Sequence, residues 1–116
     1  MSETEYEFIA YGKPKVKQRP RMTRRGRAYT PQATHDAERE LAEQYEGPLF
    51  EVPIYVEVRY AKDYQSIVIK VLDYEPIKSL RGDIDNMLKL TMDALNGVAW
   101  TDDSLVKAVY VYLDEA

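Results

Sequence analysis

The chain has 116 residues, 45% of them hydrophobic, which is enough for one domain with a single packed core. It has no cysteine and one histidine, His35, which excludes a disulfide scaffold, a thiolate zinc site and any site that needs two histidines from one chain. Its net charge is -4, and it shows neither a signal peptide nor an apolar run of about 20 residues. We therefore expect a cytoplasmic protein with no membrane partner.

The first predicted elements are a strand and a basic loop. Residues 5–11 contain aromatic and β-branched side chains, which indicates a strand that ends at Gly12. Residues 12–29, called here the basic segment, hold two Pro and two Gly and have no apolar face to bury, so we predict a mobile surface loop. Its cations are Lys13, Lys15, Lys17, Arg19, Arg21, Arg24, Arg25 and Arg27.

The basic segment holds half of the chain's 16 basic residues and has no acid between Lys13 and Arg27. Its charge is +8, so in a chain of net charge -4 the other residues together have -12. A phosphate responds mainly to charges within about 8–10 Å, so the local charge matters more than the total. The segment is predicted either to bind DNA phosphates or to be a solvated charged loop.

A helix is predicted next. Thr30-Pro31 is typical of an N-cap followed by Pro at the first helical position, and Gly47-Pro48 ends the helix after about Tyr45. The residues expected to form its thin apolar stripe are Ala33, Ala37, Leu41 and Tyr45.

Two strands follow this helix. The first, over residues 50–60, is predicted to be half-buried, and Pro53 indicates an edge strand or a strand start. Its apolar side chains recur at every second position: Val52, Ile54, Val56, Val58 and Tyr60. Residues 66–72 are predicted to form the second.

The last two predicted elements are a helix and a strand. Apolar side chains at helical spacing between Ile84 and Leu95 predict a helix that stops at Asn96-Gly97. Residues 104–113 are apolar on both alternating faces, so they are predicted to form a central strand covered on both sides. The fold class is therefore α/β (α+β), with the order β-α-β-β-α-β and a small mixed sheet covered by two helices in one domain, residues 1–116.

Acidic residues gather around the second helix. Asp83 and Asp85 lie at its start, with Lys89 one turn beyond Asp85, and Asp102 and Asp103 follow its end. One interpretation is structural: the first two acids cap the helix, and the later charges form a solvated ladder. The other is a Mg²⁺ site, since Mg²⁺ prefers oxygen ligands and suits phosphodiester hydrolysis. Bringing the two acidic pairs together requires residues 97–102 to run back along the helix.

At these residues the sequence resembles the RusA family of Holliday junction resolvases. Three blocks match the family in order and spacing: residues 83–89 (DIDNMLK), 92–97 (MDALNG) and 100–106 (WTDDSLV). Residues 12–14, 17–21 and 29–31 also look like the family's opening. Gly82 departs from the family pattern, since many members have Pro there, and Met87 stands where many have Leu.

The resemblance implies a small homodimeric endonuclease that binds four-way DNA junctions and cuts two opposed strands with Mg²⁺ or Mn²⁺. It identifies Asp83, Asp85, Lys89 and Asp103 as catalytic residues, and Asp83, Asp85, Asp102 and Asp103 as metal ligands. The cations of the basic segment are expected to contact DNA, in a bacterial or phage-infected cell. The alternative is a DNA-binding module of the same fold that does not cut. Trp100 is expected to be a packing anchor.

Overall fold

A computed structural model describes residues 4–17 and 21–116. It confirms an α+β fold with a small sheet and two helices. The described elements are β1 (Glu5–Tyr11), β2 (Arg21–Met22), β3 (Ala28–Tyr29), α1 (Gln32–Glu43), β4 (Ile54–Tyr60), β5 (Tyr64–Val71), α2 (Ile84–Leu95) and a 3₁₀ helix (Asp103–Leu105). Contacts divide the chain after Leu72 into an N-terminal and a C-terminal unit.

The main sheet is antiparallel, with β5 between β1 and β4. The prediction of a mixed sheet was therefore wrong, because both neighbours of β5 run opposite to it. The register places Phe8 and Val58 on either side of Ile67, which is 9% exposed and is one of the two buried apolar residues of the described chain. The other is Ala10 on β1.

Helix α1 contacts β1 through the residues that follow its last turn. The side chain of Gln44 accepts a hydrogen bond from the Tyr11 N–H (2.8 Å) and donates one to the Tyr11 carbonyl (3.3 Å). The Tyr45 ring packs edge-on against Tyr6 and Phe8, with centroid distances of 5.1 and 5.4 Å. These contacts fix the end of α1 on the sheet of the N-terminal unit.

The stripe predicted for α1 is only partly correct. Ala37 and Leu41 are half-buried, whereas Ala33 is exposed and Thr34 is buried in its place. Positions three and four residues apart share a helix face, and Thr34, Ala37 and Leu41 satisfy that spacing better than a strict period of four. The N-cap is Pro31 rather than Thr30, and no side chain caps it.

Strand β4 lies at the edge of the sheet, as Pro53 indicated, but the prediction of a half-buried strand was wrong. All seven of its residues are exposed, including Val56 at 51%. An edge strand has a neighbour on only one side, and β4 pairs with β5 alone among the described residues.

None of the described helices is long and apolar enough to cross a membrane.

The predicted central strand over residues 104–113 does not form. Instead, a 3₁₀ helix spans Asp103–Leu105, and residues 106–114 have no regular structure. Alternation identifies residues suited to a strand, but a strand forms only where a neighbour pairs its backbone groups. In the described chain such pairing begins only after this segment, through Ile77 N–H to the Asp114 carbonyl (3.0 Å) and Ala116 N–H to the Glu75 carbonyl (2.9 Å).

Candidate active site

The start of α2 presents two exposed carboxylates. Asp83 is the N-cap residue, and its carbonyl accepts hydrogen bonds from Asn86 N–H and Met87 N–H, both at 3.1 Å. Its side chain makes no capping hydrogen bond. Asp85 follows in the first turn, where the positive end of the helix dipole favours an acid. The capping interpretation therefore does not account for the Asp83 carboxylate.

Gly82 fixes how the chain enters this helix. Its φ is +89°, in the left-handed region that favours glycine. Proline locks φ near -65°, so a proline at this position could not adopt this backbone.

Lys89 lies one turn beyond Asp85 and is exposed, as are Asp85 and Asp93. Within the described residues, no ion pair of 4.0 Å or less joins Lys89 to either acid. The side chains on the half-buried face of α2 are Met87, Leu88 and Met92. The structure therefore keeps the charged side chains of α2 in solvent, where a phosphate can reach them.

Asp102 and Asp103 have different partners. The Asp102 side chain caps the 3₁₀ helix, since one of its oxygens accepts the Ser104 N–H at 2.9 Å. Hydrogen bonding from the Ser104 side chain, and then from the Ser104 N–H, lowers the pKa of Asp102 below its ordinary value. Asp103 Oδ1 instead accepts the indole N–H of Trp100 at 2.7 Å. Sequence reasoning missed this role of Trp100, and the only available signal was the spacing of three residues.

The turn after α2 is compact. Val98 N–H and Ala99 N–H donate to the Leu95 carbonyl at 3.0 and 2.8 Å, and Gly97 N–H donates to the Trp100 carbonyl. Residues 97–100 therefore stay at the end of the helix and do not run back along it.

Among the described residues, no group of three or more His, Asp or Glu side chains is placed to hold a metal ion. Convergence of Asp83, Asp85 and Asp103 stays a prediction.

The basic segment is more ordered than predicted. A hairpin of β2 and β3 lies within it, where the sequence predicted a mobile surface loop. Thr23 and Arg27 close the turn through Thr23 N–H to the Arg27 carbonyl (2.7 Å) and Arg27 N–H to Thr23 Oγ1 (3.1 Å). Gly26, with φ +80°, supplies the left-handed residue that such a turn requires.

The hairpin tip presents three exposed arginines, Arg24, Arg25 and Arg27. No ion pair to any of them occurs among the described residues. Arg19 lies outside the described residues, and Arg21 is described only as backbone in β2. The tip is thus an exposed cluster of guanidinium groups on a hydrogen-bonded turn.

The lysines of the basic segment are placed differently. Lys15 Nζ lies 3.7 Å from Glu40 Oε2, and Lys17 Nζ lies 3.7 Å from Glu38 Oε2, so both lysines pair with acids of α1. Lys13 is exposed. Sequence reasoning treated the eight cations as one group and did not connect them with the acids of α1.

Comparison with models of known protein families identifies the family of the chain. A family model described as endodeoxyribonuclease RusA matches residues 11–115. The chain belongs to the RusA family. The RusA match includes the basic segment, both helices and all the candidate acids, and it confirms the resemblance seen in the sequence. Neither a search of curated proteins nor a search of solved structures found a significant match.

Proposed function

We propose that this RusA-family protein is a Mg²⁺-dependent endonuclease that resolves four-way DNA junctions during recombination and repair. It cuts two opposed strands symmetrically by phosphodiester hydrolysis, in the cytoplasm of a bacterial or phage-infected cell. The family match over residues 11–115 supports the proposal most strongly, because it includes every residue to which a role is given.

Asp83, Asp85 and Asp103 are proposed to hold the metal. Because residues 97–100 stay at the end of α2 rather than run back along it, these acids are proposed to meet across the dimer. All three offer carboxylate oxygens, which are the ligands Mg²⁺ prefers. Asp83 and Asp85 are exposed, and the Asp83 carboxylate is not used for capping. When bound, the metal would polarise the phosphate and lower the pKa of its bound water. Asp102 was expected from the sequence to be a fourth ligand. One of its oxygens is engaged in the cap, so Asp102 is proposed to contribute less to metal binding than the other three acids.

Lys89 is proposed to act on the substrate rather than on the metal. Its ammonium group is exposed one turn along α2 from Asp85. A cation in this position stabilises the negative charge that develops on the scissile phosphate and the leaving oxygen. The cations of the basic segment supply affinity for the DNA backbone that does not depend on sequence.

A homodimer is proposed because paired cuts require two active sites, and one chain of this size supplies one. Apolar and aromatic side chains remain exposed near the C-terminus, as a self-association surface requires. They are Leu105, Val109, Tyr110, Val111 and Tyr112, and Tyr110 is 93% exposed.

The second candidate is a DNA-binding module of the RusA fold that does not cut. It is favoured by the fact that the described residues contain no preformed group of three acids. Against it stands the exposure of Asp83 and Asp85, since carboxylates beside DNA repel phosphate and do not assist binding alone.

The experiment that separates the two candidates uses a labelled four-way junction and a linear duplex of the same sequence. The protein is incubated with each, with Mg²⁺ or with a chelator, and the products are resolved on a denaturing gel. The nuclease proposal expects paired nicks in the junction, with Mg²⁺ only. A junction that stays intact under all conditions on the denaturing gel, but is retarded by the protein on a native gel, supports the binding module instead.

A further inference from the structure

The backbone of Trp100 is fixed at the end of α2. Gly97 N–H donates to the Trp100 carbonyl at 2.6 Å, and Gly97 has φ +80°, which allows the chain to reverse within four residues. The Leu95 carbonyl receives two N–H groups of the same turn. The position of the indole is therefore set by the end of the helix rather than by a loose loop.

The indole in turn fixes one carboxylate. Trp100 Nε1 donates to Asp103 Oδ1 at 2.7 Å, and both residues are half-buried. Indole has one donor and no acceptor, so this bond engages its whole hydrogen-bonding capacity. A carboxylate has two oxygens, and no hydrogen bond reaches Asp103 Oδ2 from the described residues. One oxygen is held and the other remains for a ligand.

The neighbouring acid is not arranged in this way. Asp102 Oδ2 accepts Ser104 N–H and caps the 3₁₀ helix, which is a common structural task for aspartate. Asp102 and Asp103 therefore have different structural roles. Asp102 holds the turn, and Trp100 holds the Asp103 side chain.

We propose that Trp100 is a positioning residue for the metal site. It acts through Asp103, whose carboxylate it orients so that Oδ2 receives the divalent cation. The proposal rests on the proposed function, in which Asp103 is a metal ligand. Partners that orient a ligand in this way typically change metal affinity or activity by about 10–100-fold when they are removed.

The chain offers a direct reporter, because Trp100 is its single tryptophan. Mn²⁺ is paramagnetic and quenches a nearby fluorophore, so Trp100 emission is followed while Mn²⁺ is added to the full chain without DNA. Binding is measured in parallel from the electron paramagnetic resonance signal of free Mn²⁺. The proposal expects quenching that follows Mn²⁺ binding in the parent. Mn²⁺ binding without any change in Trp100 emission overturns it.

Variants then separate the roles. Trp100→Phe keeps a ring and removes the donor, and it is expected to weaken Mn²⁺ binding by about 10–100-fold, measured by resonance alone. Tyr60→Phe, at a position on β4 that is 70% exposed, is the matched loss of one aromatic donor and should bind as the parent does. Parent-like affinity in Trp100→Phe overturns the proposal. Circular dichroism checks the fold, and if Trp100→Phe does not fold, the quenching result in the parent decides.

Failure of the proposed function gives a different result. Asp103→Asn should abolish tight Mn²⁺ binding and the quenching, whereas Asp36→Asn, the same change on α1, should retain both. If Asp103→Asn binds Mn²⁺ as the parent does, Asp103 is not a ligand, and both the metal assignment and the inference fall. If Asp103→Asn loses Mn²⁺ while Trp100→Phe keeps it, only the inference about Trp100 falls.

Discussion

The ammonium group of Lys17 lies 3.7 Å from a carboxylate oxygen of Glu38 on α1. Lys15 and Glu40 make a second pair at the same distance. All four side chains are more than half exposed, and such pairs contribute only about 0–1 kcal/mol. The glutamates are therefore weak competitors of DNA phosphate. If the two lysines contact DNA as proposed, the glutamates lower their affinity for it without preventing contact.

The first prediction concerns this competition. Glu38→Gln with Glu40→Gln should tighten junction binding and steepen the dependence of log affinity on log salt. Each lysine that is freed to replace a counterion on duplex arms steepens the slope by about 0.9. Binding is measured by fluorescence anisotropy over a range of salt concentrations.

Removal of two negative charges also raises affinity in a general way, and a matched control measures that part. Glu43→Gln with Glu46→Gln changes the net charge equally, and Glu43 pairs with Arg39 rather than with the basic segment. If both double variants give the same affinity and slope, the lysine–glutamate pairs have no specific effect on DNA binding.

The second prediction concerns the hairpin tip. Changing Arg24, Arg25 and Arg27 to Gln should weaken binding to junctions and to duplex alike. The salt slope should flatten by about 0.9 for each phosphate that an arginine no longer neutralises. The turn should persist, because its hydrogen bonds come from Thr23 and backbone groups.

A triple change of Lys62, Lys70 and Lys78 to Gln removes the same charge outside the basic segment and serves as the control. It should alter the salt slope much less. An unchanged slope in the arginine variant would refute the assignment of the tip to phosphate binding.

The third prediction concerns the Asp102 cap. Its pKa is lowered by the Ser104 hydrogen bonds, so the ionised form stabilises the fold above the ordinary value of 3.8. That contribution is lost as the pH falls through the lowered pKa. The melting temperature of the parent should exceed that of Asp102→Asn at pH 7, and the difference should shrink only below 3.8. A difference that does not change over this acid range would contradict the cap's electrostatic role.

The fourth prediction concerns assembly. Light scattering at micromolar protein should give twice the 13.5 kDa mass of the chain. The apolar side chains near the C-terminus are the expected interface, and Val109→Asp with Val111→Asp should shift the mass toward that of the monomer. A monomer with and without DNA would refute the dimer.

Helix α2 could be placed from the sequence, because its start and end signals lie within the helix. A strand could not be placed in this way, because it forms only beside another strand. Helix α2 begins and ends where periodicity and Asn96-Gly97 predicted, because these signals lie within the helix itself. The strand predicted over residues 104–113 failed because pairing depends on a neighbour that alternation does not specify. The hairpin was missed because the basic segment was interpreted from its many cations, and the turn formed by Thr23 and Gly26 was not considered.

The candidate site shows the same division. The family was identified from the resemblance of three motif blocks, and the acids were assigned by their positions in those blocks. The different tasks of Asp102 and Asp103 depend on which donors, Ser104 N–H or the Trp100 indole, meet each carboxylate in the 3₁₀ turn. Adjacent identical residues give no sequence signal for that choice.

The most direct test of the central claim compares cutting and binding by the parent and by Asp83→Asn. The control is Asp36→Asn, which makes the same chemical change on α1. Asp36 accepts hydrogen bonds there from Gln32 and Arg39. With a four-way junction and Mg²⁺, the parent and the control should make paired nicks. Asp83→Asn should make none while it binds the junction as tightly or more tightly, because one charge that repels phosphate has been removed. Parent-like cutting by Asp83→Asn would contradict the account.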